Sequence, residues 1–149
     1  MKYKTIKSML LIAISLFILS AFIPYNIVDP LLYPYEQEFL GTVKQHCNES
    51  QYLHPIQKTI HFAEVDNPNN IANCATNNFT KLNITYNITY WNSQGPSQRF
   101  STMTHELTHC YFNTGHNPDP SHYMYYLENY LPRETVQKQL EEFLKERCK

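Results

Sequence analysis

An α+β domain is the fold class this sequence predicts, and three patterns predict it. Residues 58–65 (KTIHFAEV) and 82–91 (LNITYNITYW) alternate apolar with polar and are rich in β-branched and aromatic side chains, as strands are. Residues 97–114 carry Phe100, Met103, Leu107 and Cys110 at i, i+3, i+7 and i+10, the stripe of an amphipathic helix. Residues 35–47 and about 133–147 repeat that helical spacing, the first with apolar positions 35, 39, 40 and 43 and the second with Val136, Leu140, Phe143 and Leu144. The expected architecture is a small twisted β-sheet with an N-terminal helix before it, the 97–114 helix behind it, and a C-terminal helix.

The elements follow in order. Residues 24–34 contain Pro24, Pro30 and Pro34 and read as an extended lead-in. The helix of 35–47 and the strand of 58–65 come next, and Asp66 to Asn70 form a turn cluster. The strand of 82–91 follows, its NITYNITY echo lying within one element rather than marking a repeat. Residues 92–97, with Gly95-Pro96, form a loop leading into the long helix. Gly115 is placed to end that helix as a left-handed cap. Asn117-Pro118-Asp119-Pro120 is a rigid loop before the last helix.

The chain has 149 residues, suited to one domain, and its 42% hydrophobic and 17% charged content supports a packed core. Twelve tyrosines and only three glycines argue against fibrous or low-complexity classes. Net charge is -1, with no basic patch and no aromatic-basic interleaving, so nucleic acid is not an expected partner.

Lys2, Lys4 and Lys7 precede an apolar run from Met9 to Ile23 broken only by Ser15 and Ser20. The run is shorter than the ~20 residues of a membrane span and fits the apolar region of an export signal. Residues 1–23 are therefore read as a signal peptide, with cleavage after Ala21, or as an N-terminal membrane anchor tethering the chain through residues 9–23. Residues 24–149 are read as a single domain delivered outside the cytoplasm. No cysteine follows the run closely, which argues against a lipoprotein. Cys47, Cys74, Cys110 and Cys148 are an even set matching no zinc-finger spacing, and in an exported chain they predict two disulfides. Three connectivities are possible; Cys74 with Cys110 and Cys47 with Cys148 is the one expected. Asn48, Asn78, Asn83 and Asn87 begin N-x-[ST] sequons, of consequence only where the host glycosylates.

The chemistry is concentrated in His105-Glu106-Leu107-Thr108-His109, an H-E-x-x-H pentapeptide. Residues four apart share a helix face. At 100° per residue His105 lies about 200° from Leu107, so both histidines face away from the apolar stripe and toward a cleft. Two imidazoles so placed close on one Zn2+, while Glu106 serves as general base toward the water in the open position. A catalytic zinc needs a third protein ligand. His116 is the first choice, because Gly115 permits a sharp turn back toward the metal. Glu128, nineteen residues after His109, is the alternative third ligand, with Pro118 and Pro120 intervening; Asp119 and His122 rank below it. Cys110 sits on the core side and is expected to be a disulfide or buried thiol rather than a metal ligand. His46, His54 and His61 are expected to be structural or solvent-facing.

His105-Glu106-x-x-His109 followed by Gly115, His116 and Met124 resembles the metzincin zinc peptidases, whose pattern is H-E-x-x-H-x-x-G-x-x-H with a later Met-turn. The resemblance implies that Met124, in Ser121-His122-Tyr123-Met124-Tyr125-Tyr126, forms an apolar floor beneath the metal, and that Tyr126 is a transition-state stabiliser near the zinc. The chain departs from the pattern in that His116 comes seven residues after His109, not six. This longer spacing is similar to that of small exported bacterial-type metallopeptidases with H-E-L-G-H-C and a later His. In that group the 35–47 helix, the TIHFAEV strand, Cys74, Trp91-Asn92, Arg99 and Cys110 fall in the same order. Thr108 replaces the Gly common before the second His, which implies some crowding of the cleft. Glu-zincin peptidases, which take a third ligand from a second helix at about the Glu128 spacing, are the rival resemblance.

The expected activity is zinc-dependent hydrolysis of bonds within a peptide or protein substrate. The alternative is a non-catalytic zinc-binding module, secreted or membrane-tethered. A membrane-tethered interaction protein with incidental histidines, or a hydrolase of some other amide, are further readings. Calcium sites are not expected, since Asp29, Asp66 and Asp119 form no cluster.

Overall fold

Four strands make one sheet: β1 (Tyr25–Val28), β2 (Gln57–Ala63), β3 (Ala72–Asn77) and β4 (Lys81–Asn87), in the order β1-β2-β4-β3. The computed structural model describes residues 25–64, 71–77, 80–126 and 131–149. The export segment, the 66–70 turn cluster and Glu128 lie outside the described residues. β1, β2 and β4 run parallel, and β3 returns antiparallel to β4 as an edge strand. The register sets Ile60 against Ile84 and Phe62 against Tyr86, so one face of the sheet gathers Ile60, Leu82, Ile84 and Tyr86 into the core. The mixed α+β architecture is the class the sequence predicts.

Among the described residues four α-helices accompany the sheet: α1 (Tyr33–His46), α2 (Ile88–Ser93), α3 (Pro96–Phe112) and α4 (Arg133–Arg147). The stripe Phe100, Met103, Leu107 and Cys110 is buried, as are Phe39 and Val43 of α1 and Val136, Leu140 and Leu144 of α4. These are the positions that helical periodicity marks out, and burying them removes the apolar face of each helix from water. α3 lies between the other layers, against β3, α1 and α4. Trp91 joins sheet and helices: its ring meets Tyr35, Phe62 and Tyr86, its carbonyl accepts from Arg99 Nε at 3.1 Å, and the Arg99 guanidinium lies over its face.

Four expectations need correction. Residues 24–34 are more than a lead-in, since Tyr25–Val28 pairs with β2 and α1 already begins at Tyr33, with Pro34 in its first turn. The strand expected over 82–91 stops at Asn87, whose side chain accepts from the Thr89 and Tyr90 N–H groups and starts α2. An asparagine cap outweighs the alternation that continues beyond it. β3 was not expected, because ANCATN offers no apolar alternation. Finally, α3 ends at Phe112, and the left-handed cap is Asn113 (φ 48°, ψ 51°), not Gly115. Asparagine tolerates that conformation through its short polar side chain.

The disulfides are Cys74–Cys110 and Cys47–Cys148, as expected. The second joins the C-terminal ends of α1 and α4. Such bridges belong to an oxidising, extracytoplasmic setting. Among the described residues, no helix is long and apolar enough to cross a membrane.

Candidate metal centre

α3 presents His105 and His109 one turn apart on the face opposite its buried stripe, half-buried at the wall of a cavity of about 500 Å3. His116, exposed and just beyond the helix, completes the set: its ring centroid lies 5.2 Å from that of His105 and 4.6 Å from that of His109. One nitrogen from each of the three lies within 4.8 Å of the others. The His105 and His109 Nε2 atoms are 2.9 Å apart.

The remaining ring nitrogens show what this arrangement fits. His105 Nδ1 donates to the Tyr123 carbonyl at 2.8 Å and His109 Nδ1 to the Thr114 carbonyl at 2.6 Å. Each carbonyl fixes the tautomer in which Nε2 carries a lone pair. Burial lowers both histidines, His105 to about 4, with the Tyr123 hydrogen bond opposing and the neighbouring histidines assisting. Two neutral imidazoles thus aim lone pairs at one another, an arrangement a cation between them relieves. A tetrahedral zinc with Zn–N distances near 2.0–2.1 Å sets its nitrogens roughly 3.3 Å apart. The donor set fits a borderline metal such as zinc.

Glu106 lies beside these ligands and lines the same cavity. Burial raises its carboxyl from 4.5 to about 7, and the Cys74 backbone N–H, which donates to it, holds it from rising further. The edge strand also lines the cavity, through Ala72, Asn73, Cys74 and Thr76, as do Tyr125 and Tyr126.

Met124 is buried and follows Tyr123, whose carbonyl holds His105. Its N–H donates to His122 Nδ1 at 3.0 Å and its carbonyl accepts from Asn117, which closes the 117–125 segment on itself. His122 is engaged there and Asp119 by Ser121, so neither belongs to the histidine cluster. Tyr126 lines the cavity and is exposed, its ring against Tyr125. Thr108 does not crowd the cleft. It is fully buried, donates to the Thr104 carbonyl at 2.6 Å and meets the Tyr123 hydroxyl at 3.3 Å. One residue from His109 is about 100° around the helix, which turns Thr108 from the cavity into the core.

Sequence reasoning missed the two carbonyls that hold the imidazoles and the strand facing Glu106. Asn113 was the legible signal for the first, since an asparagine after a helical stripe marks a left-handed cap and places Thr114 behind His109. The chain matches no family model, no curated protein and no solved structure.

Proposed function

We propose that the chain is an exported zinc-dependent endopeptidase with a metzincin-like site. The observation that carries this reading is the convergence of three imidazoles beside the half-buried Glu106 carboxyl on the wall of an open cavity. His105, His109 and His116 would hold the metal. When bound, zinc supplies a Lewis acid that acidifies a water and polarises a scissile carbonyl.

Glu106 takes the proton of a water in the cavity and returns it to the leaving nitrogen. Its place beside the three histidines on the cavity wall suits it to that exchange. The Tyr123 and Thr114 carbonyls keep His105 and His109 in the ligating tautomer. Met124 takes the place of the Met-turn residue, and Tyr126 supplies a phenol toward the oxyanion. The paired disulfides and the apolar run at 9–23 support action outside the cytoplasm, with the chain secreted or tethered by that run.

The test is metal content by mass spectrometry with hydrolysis of fluorescein-labelled casein, for the full chain and for Glu106→Gln, His116→Ala and Glu128→Ala. The reading expects one zinc per chain in the parent and in Glu106→Gln, with hydrolysis in Glu106→Gln down by about 100-fold or more. Zinc loss should follow His116→Ala and not Glu128→Ala. Unchanged casein hydrolysis in Glu106→Gln would sink the mechanism, and a chain that takes up no zinc would retire the metal centre.

A further inference from the structure

We infer that Cys74 and Cys110 are positioning residues of the proposed hydrolysis, their disulfide clamping the edge strand β3 to α3 so that cleft wall and general base keep one register. The inference rests on the zinc-peptidase reading, and three observations carry it.

The first is place. Cys110 directly follows the proposed ligand His109 on α3, and Cys74 lies at the middle of β3, which lines the same cavity as the histidines. The bridge therefore ties the cavity-lining strand to the buried side of the helix that carries the histidines. The other disulfide, Cys47–Cys148, lies where α1 and α4 end, and neither of its cysteines lines the cavity.

The second is the weakness of the strand without it. Among the described residues β3 pairs on one side only, with β4, and stands at the sheet edge. Asn73, Ala75 and Thr76 are exposed, and the strand contributes no large apolar side chain to the core. Little apolar burial therefore fixes its distance from α3, and edge elements of this kind open first.

The third is the link to chemistry. Cys74 and Glu106 line the same cavity. Movement of β3 would alter both the width of that cavity and the surroundings of the general base. Displacements of about 1 Å at such a group lower turnover by roughly 100-fold.

The experiment compares the full chain with Cys74→Ala/Cys110→Ala and with Cys47→Ala/Cys148→Ala as control, all zinc-loaded. Amide hydrogen exchange and casein hydrolysis are read together. In the first double variant zinc content should stay at the parent value, protection of 72–77 should fall by about tenfold or more while α3 stays protected, and kcat should fall by roughly 100-fold with KM within about threefold. The control should lose thermal stability and keep its kcat. Parent-like protection of 72–77, or parent-like kcat with the bridge absent, overturns the inference. Should the first variant fail to fold, mild phosphine reduction of the folded parent, with the opened bridge located by peptide mapping, makes the same comparison. Loss of turnover tracking Cys74–Cys110 opening then supports the clamp, and full turnover with it open overturns it. If the parent itself takes zinc but cleaves nothing, the proposed function fails, and the exchange data still decide whether the bridge holds the wall.

Discussion

Among the described residues Tyr86 is the largest fully buried side chain, and its hydroxyl has no hydrogen-bond partner there. Burial raises its pKa well above the usual phenol range, with Glu106 and then Glu36 adding to the effect. An unpaired buried hydroxyl costs about 1–3 kcal/mol of desolvation, so Tyr86→Phe should unfold at equal or higher urea concentration than the parent. A clear loss of stability would reveal a partner for the hydroxyl. Glu36 is the converse case. It is fully buried at the α1–sheet junction, where Lys58 Nζ and Tyr111 OH donate to Oε1. Removing one member leaves a buried charge uncompensated, so Lys58→Met should lose about 3–5 kcal/mol. Adding Glu36→Leu should recover most of it, and an unrecovered double variant would show that the pair is not what the loss measures. The sequence marks neither residue, because helical spacing shows Glu36 on α1 but not the lysine and tyrosine that meet it.

At the scale of elements, periodicity made the helices legible and capping decided where they end. α4 occupies the span its apolar stripe predicts, and the α3 stripe is buried as expected, because both patterns follow from one face meeting a core. The histidine pair was legible for the same reason: a four-residue spacing fixes a shared face. The carbonyls behind the histidines and the strand across from Glu106 depend on where the chain returns, which no local pattern encodes. Asn87 and Asn113 show the limit most clearly. Asn87→Ala should cost about 1 kcal/mol by uncapping α2, read as a lowered Tm with the sheet intact. Asn113 works through the site, since its left-handed turn sets the Thr114 carbonyl against His109 Nδ1. Asn113→Val should lower zinc affinity by about tenfold or more, as loss of a ligand's supporting hydrogen bond does, whereas Asn113→Gly should keep it. Equal zinc affinities for the two variants, measured by competition with a chromophoric chelator, would dissociate the cap from the site.

At the scale of the whole molecule, the site sets two opposed pH dependences on the zinc-free chain. His105 falls to about 4 on folding, so between pH 6.5 and 4 the unfolded chain takes up a proton that the folded chain refuses, and stability is lost as pH falls. His109 and His122 are lowered too and act in the same direction. Glu106 rises to about 7, so between pH 4.5 and 7 the folded chain holds a proton that the unfolded chain releases, and stability is lost as pH rises. The windows overlap from 4.5 to 6.5, where the Glu106 ramp offsets the His105 ramp. Glu106→Gln removes one ramp and exposes the other. The zinc-free variant should therefore lose about 2–3 kcal/mol more than the zinc-free parent on acidification from pH 6.5 to 4.5. It should also exceed the parent by up to about 3 kcal/mol at pH 8. Urea unfolding at pH 4.5, 6.5 and 8 separates these expectations from the alternative, in which the two stability curves run parallel and Glu106 is not held protonated by the fold. On the proposed function, zinc would enter the same balance by mass action: at about one hundred times its Kd it would add roughly 2.7 kcal/mol to the folded state, which a chelator should withdraw from the parent and not from His105→Ala. A site that holds two lone pairs together and a carboxyl in its neutral form opposes folding, and a cation bound there would relieve it.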